Sequence, residues 1–114
     1  MKKIELLKWK NKIIAFDLDL TLTLDSVENY LDLSPKEQEK LFRHLKPNKE
    51  MIDLLNELSK DNTVFVFTAR NDCLQRVTND WLKKHNVKCD YFLVGKPGYD
   101  LLIDDKVIRP NEIY

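Results

Sequence analysis

Glycine is nearly missing from this chain. Among 114 residues only Gly95 and Gly98 occur, where an average protein carries roughly 7%. A P-loop or a dinucleotide fingerprint needs two or three glycines so that backbone N–H groups can approach phosphates. Two glycines three residues apart, late in the chain, supply neither, which excludes ATP-cradling and NAD-binding loops. An excess of one charge is also absent. Nineteen basic residues balance nineteen acidic ones, so net charge argues against a nucleic-acid partner. No apolar run approaches the ~20 residues of a membrane span, and no membrane partner is expected. Lysines and Glu5 interrupt the basic opening MKKIELLKWKNK, which does not read as a secretory signal. Cysteine is scarce too. Cys73 and Cys89, in a chain with an adequate core, read as reduced thiols, and a cytoplasmic location is the expectation. His85 and Cys89 have no second ligand pair nearby, so zinc is not expected.

What is present is an ordinary globular composition, 43% apolar and 33% charged, in a length that suits one domain. Short apolar runs alternate with helical periodicity, the pattern of an α/β protein with a parallel sheet. Strands are expected at 12–17 (KIIAFD), 63–67 (TVFVF), 91–94 (YFLV) and 101–103 (LLI). Their continuous apolar character predicts a central sheet covered on both faces. Ser34-Pro35-Lys36-Glu37 is a capping box with proline at the first helical position, and the helix it opens offers Leu41, Phe42 and Leu45 as its buried stripe. A second helix is predicted over 48–60, burying Met51, Leu54, Leu55 and Leu58. A third runs from Asp72, as its N-cap, to about Asn86, with Leu74, Val77, Trp81 and Leu82 on one side. Residues 1–10 read either as an edge strand or as a loose basic arm.

Each predicted strand ends in a polar cluster: Asp17-Leu18-Asp19-Leu20-Thr21, Thr68-Ala69-Arg70, Gly95-Lys96-Pro97 and Asp104-Asp105-Lys106. In a parallel sheet the carboxyl ends share one edge, and ligands bind there. Four acids in one cleft repel unless a cation sits among them, and an oxygen-only ligand set points to a hard ion, Mg²⁺. A carboxylate beside that ion can attack phosphorus. A second, kept protonated by its acidic neighbours, can protonate the leaving oxygen and later deprotonate water. Thr68 and Lys96 are suited to holding phosphoryl oxygens. Arg70 has two readings, a contact to substrate phosphate or a structural partner for a site carboxylate.

FDLDLTLT, FVFTAR, GKP and LLIDDK, in this order, resemble the haloacid dehalogenase superfamily of Mg²⁺-dependent phosphatases, over most of the chain from Lys12 onward. TARN, WLKKHNV and LVGKPGYDLLIDDKVIRPNE are similar to the small phosphatases of capsule and polysaccharide biosynthesis within it. The resemblance implies a three-layer, Rossmann-like fold and a phosphoric monoester hydrolase that works through an aspartyl-phosphate. Its substrate would be a small phosphate ester, a sugar phosphate or polysaccharide precursor. Asp17 would be nucleophile and metal ligand, and Asp19 the general acid/base with its carbonyl on the metal. Thr68, Ala69, Arg70 and Lys96 would surround the phosphoryl group. Asp104 would ligate Mg²⁺ and Asp105 would orient a metal-bound water. Two departures stand out. Leu20 occupies the family's usual glycine position, so the turn is expected to bend differently. Residues 24–46 form an insert, either a lid or an extra packed helix. Two alternatives are a nucleotide or polynucleotide-end phosphatase and a catalytically silent binding module. A phosphorelay receiver is excluded because its acids and threonine follow a different order.

Overall fold

The computed structural model describes residues 1–113. Three strands, β1 (Ile13–Asp17), β2 (Thr63–Phe67) and β3 (Tyr91–Leu93), pair in parallel in the order β1-β2-β3. A short helix α1 (Lys3–Leu6) precedes them and buries Leu6, so the opening residues are neither strand nor loose arm. α2 (Pro35–Arg43) and α3 (Lys49–Leu58) lie between β1 and β2, and α4 (Gln75–Lys84) connects β2 to β3.

The caps explain where helices begin. Ser34 Oγ accepts the Glu37 N–H at 3.3 Å and donates to the Glu37 carboxylate at 2.9 Å, with Pro35 at the first helical position. Asn48 Oδ1 accepts from Met51 N and starts α3. The third predicted helix is displaced at its start. Asn71 precedes a 3-10 turn, Asp72–Leu74, with no side-chain cap, and Asp72 lies inside that turn rather than ahead of it. On α2 the inward face is Gln38, Phe42 and, just beyond, Leu45. Leu41 is exposed, because the helix meets the domain along the 38–42–45 line.

Strands in sequential order, joined by right-handed crossovers, place both connecting helices on the same side of a sheet. The core agrees. Phe16, Val64 and Val66 pack with Met51, Leu54, Leu55 and Leu58 of α3 and Trp81 and Leu82 of α4. Each such buried side chain contributes about 1.5–3 kcal/mol. The opposite face is open: Ile13 is 75% exposed, Tyr91 and Leu93 about half, and the Phe65 and Phe67 rings are only partly buried. The expectation of a sheet covered on both faces is therefore corrected. Phe65 stacks flat on Tyr91, 5.1 Å between centroids, so this face carries an aromatic pair of its own.

The predicted fourth strand does not form among the described residues. Leu101, Leu102 and Ile103 are irregular and exposed, Ile103 to 89%. An apolar triplet becomes a strand only where a neighbouring edge supplies its backbone partners, and none pairs with it here.

Candidate active site

The parallel register brings the carboxyl ends of β1, β2 and β3 to one edge, and hydrogen bonds lace the segments beyond them. Thr68 N donates to Leu93 O, Lys96 N to Thr68 O and Gly95 N to Arg70 O, at 2.8–3.1 Å. Gly95 adopts φ +77°, a left-handed conformation that a side chain would strain, and it turns the chain so that Lys96 faces β1. On the β1 side, the Leu18 carbonyl accepts from the amides of Thr21, Leu22 and Thr23. That tight turn aims Asp19 at the end of β2.

Two acid–base pairs result. Asp17 Oδ1 lies 3.2 Å from Lys96 Nζ, and the ammonium also sits 3.9 Å above the Phe67 ring. Asp19 is gripped by Arg70: Nη2 donates to Oδ1 at 2.7 Å and Nε to Oδ2 at 3.2 Å, while Thr68 Oγ1 donates to Oδ2 at 3.1 Å. The third guanidinium nitrogen, Nη1, donates to Thr78 Oγ1 at 2.9 Å. Arg70 is 2% exposed and lies over the Phe42 ring, 4.2 Å from its centroid. Arg70 is the buried member and Asp19 keeps about a quarter of its side chain exposed, so removing Asp19 leaves a buried guanidinium charge without its carboxylate.

Asp17, Asp19, Thr68, Arg70 and Lys96 thus meet at this edge, with Ala69 between Thr68 and Arg70 in the chain. Of the four residues assigned to phosphate, Ala69 is exposed and Lys96 half-buried, whereas Thr68 and Arg70 are buried and turned onto Asp19. Between the two readings of Arg70, the geometry shows the carboxylate partner. The neighbours of Asp19 are a guanidinium and a hydroxyl, rather than further acids, and both its oxygens act as acceptors.

Asp104 and Asp105 are not gathered here. They sit in the exposed segment after Ile103, where Asp104 accepts the Lys106 N–H at 3.1 Å. That bond holds its carboxyl below the usual range. Among the described residues no three metal-ligating side chains come together. Of the four acids expected to surround a cation, Asp17 and Asp19 meet at this edge, each beside a basic side chain, and Asp104 and Asp105 do not join them.

The sequence did not single out Tyr30 or Phe42 for the site. Tyr30, in a 3-10 turn (Tyr30–Asp32), meets Phe42 edge-on at 5.1 Å. Burial pushes its phenol up, the Asp19 charge adds to this, and Arg70 opposes it. Periodicity marks Phe42 only as a core residue. An open groove of about 460 Å³ is lined by Asp72 and Cys73 of the 3-10 turn, Gln75, Arg76 and Asn79 of α4, and Phe92 of β3.

A one-sided parallel α/β sheet with paired acids and bases on its carboxyl edge is the class defined so far. The chain is similar to a Vibrio cholerae protein of known crystal structure, with 30% identity and a TM-score of 0.71, over 89% of this chain and 85% of that one. The two belong to one family. It also resembles in fold a chain of the Pnkp1/Rnl/Hen1 complex, with 19% identity, a TM-score of 0.59, and coverage of 85% of this chain but 32% of that one. No protein-family model and no curated protein matches.

Proposed function

We propose that the chain is a phosphoric monoester hydrolase of the haloacid dehalogenase type, with Asp17 as nucleophile. The observation that carries this reading is the meeting of Asp17–Lys96 and Asp19–Arg70–Thr68 on one sheet edge. Asp17 attacks phosphorus and forms an aspartyl-phosphate while the alcohol leaves. The Lys96 ammonium moves from neutralising Asp17 to meeting the phosphoryl oxygens, whose charge must be matched in the transition state. Asp19, held as an acceptor, is placed to take a proton from the water that hydrolyses the intermediate. The proton it takes from that water replaces one of its present contacts and is the one it gives to the leaving oxygen of the next substrate. Mg²⁺ belongs to the reading through Asp17, Asp19, Asp104 and Asp105. Since the described arrangement does not collect these four, no step above passes through the ion.

A panel of phosphate esters tests the reading: an aryl phosphate, sugar phosphates, nucleotides and phosphorylated oligonucleotide ends, each with and without Mg²⁺. Hydrolysis is expected, with sugar phosphates preferred, and Asp17→Asn is expected to abolish it in a folded protein. A variant that retains a substantial part of the rate removes Asp17 as nucleophile. A preference for nucleotides or oligonucleotide ends selects the alternative substrate class. Activity that survives chelation removes Mg²⁺ and leaves Asp17 in place.

A further inference from the structure

The insert, residues 24–46, packs on α4 and touches the site at one point, where Phe42 meets Arg70. Arg70 is almost wholly buried, and its three nitrogens donate in its own plane, to Asp19 and to Thr78. In-plane partners alone leave a guanidinium free to tilt. Its central carbon lies over the face of the Phe42 ring, 4.2 Å from the centroid, and that contact limits the tilt. An aromatic ring offers a cation a negative face, an attraction that strengthens where water is excluded. Phe42 is 2% exposed and is braced in turn by the edge of Tyr30. Phe42 also belongs to a small apolar cluster with Leu45, Leu74 and Val77, so its backbone is anchored to α4 and to the turn before it.

We propose that Phe42 is a positioning residue: its ring face braces the Arg70 guanidinium against tilting, and Arg70 holds the Asp19 carboxylate at the angle the reaction needs. Tyr30 keeps that ring upright. The insert thereby acts from beneath the site, through a chain of three contacts, rather than across its mouth. The claim about Arg70 stands on geometry alone, while its consequence for turnover rests on the hydrolase reading above.

Two kinds of variant separate positioning from packing. Phe42→Met keeps most of the volume and removes the ring face. Graded ring fluorination of Phe42 keeps the shape and progressively drains the negative face, and it serves if Phe42→Met does not fold. The first readout needs no activity: the Arg70 Nε–H signal in ¹⁵N-resolved NMR, with its solvent-exchange rate. Exchange is expected to quicken by about tenfold or more in Phe42→Met and to rise stepwise with fluorination. The second readout is kinetic. An alkyl phosphate is expected to lose about tenfold in kcat with KM little changed, and Phe42→Tyr, which keeps the ring, is expected to restore most of it. If the Arg70 signal stays as protected as in the wild type in a folded variant, the proposal is overturned. It is equally overturned if Phe42→Met and Phe42→Tyr lose stability and rate alike. A wild-type protein without phosphatase activity sinks the hydrolase reading, and the Arg70 signal still decides the positioning claim.

Discussion

Leu20 holds a left-handed backbone, φ 63°, with its side chain 61% exposed. Among the described residues, the other non-glycine positions in that region are Asn11, Asn29 and Asn86, a type that tolerates it. The turn is held in this conformation because Thr23 Oγ1 accepts the Leu20 N–H at 2.9 Å and the Leu18 carbonyl ties the next residues down. Leu20 therefore carries strain of about 1–2 kcal/mol. Leu20→Gly relieves it, offset by roughly 0.5–1 kcal/mol of extra chain entropy, so a net gain of a few tenths to about 1 kcal/mol is expected. A urea midpoint that rises with unchanged slope is the expected result. A fall would mean that the leucine side chain contributes more than its exposure suggests.

At the scale of elements, the insert is the informative piece. Its two ends are stitched together: Leu24 N donates to Lys46 O at 2.8 Å, Asn48 N to Leu22 O at 2.8 Å, and Lys46 N to the Asp25 carboxylate at 3.2 Å. Inside, Phe42 supports Arg70, and the Leu45 carbonyl accepts from Trp81 Nε1 at 2.8 Å. Replacing residues 26–44 with a short turn is expected to cost about 3–5 kcal/mol, the scale of losing a buried phenylalanine. Thermal unfolding before any assay checks this, and an unchanged midpoint would mean the insert is dispensable to the fold. The helix inside this insert and the one after it were legible in the sequence. Met51, Leu54, Leu55 and Leu58 recur at helical spacing, and Ser34 and Asn48 announce the starts. Leu41 was misread because Gln38 competes for the same face, and a local pattern does not say which neighbour a helix meets. The Leu101–Leu102–Ile103 run was misread as a strand because strand formation depends on a partner edge, which no local window contains.

For the molecule as a whole, the strand order carried most of what was legible about the site. Polar residues after apolar runs were readable from sequence, and parallel topology gathers Asp17, Asp19, Thr68 and Lys96 without further information. Which base faces which acid was not readable, since that depends on χ angles and on the insert beneath Arg70. The same order leaves one sheet face without helices, with Ile13, Phe65, Phe67, Tyr91 and Leu93 on it. An exposed apolar area of this kind binds hydrophobic dyes. The native protein is expected to enhance the fluorescence of an anilinonaphthalene sulfonate while keeping its near-ultraviolet circular dichroism, which separates the effect from a molten globule. Phe65→Thr should reduce the enhancement. If it leaves the signal unchanged, the dye is bound elsewhere. Among the described residues, no helix is long and apolar enough to cross a membrane.

The stitched ends of the insert also bear on how quickly the chain can find its fold. β1 must pair with β2 across a long stretch of sequence, and such nonlocal pairing is slow because loop closure comes before any reward. The hydrogen bonds between the Leu22–Leu24 segment and the Lys46–Asn48 segment short-circuit the excursion between them. Once they form, the effective loop from β1 to β2 is roughly halved, and each halving lowers the closure cost by ~0.6 kcal/mol. The clasp at the neck of the insert thus acts as a kinetic shortcut to the first strand pair, and through that pair to the edge on which Asp17 and Asp19 stand.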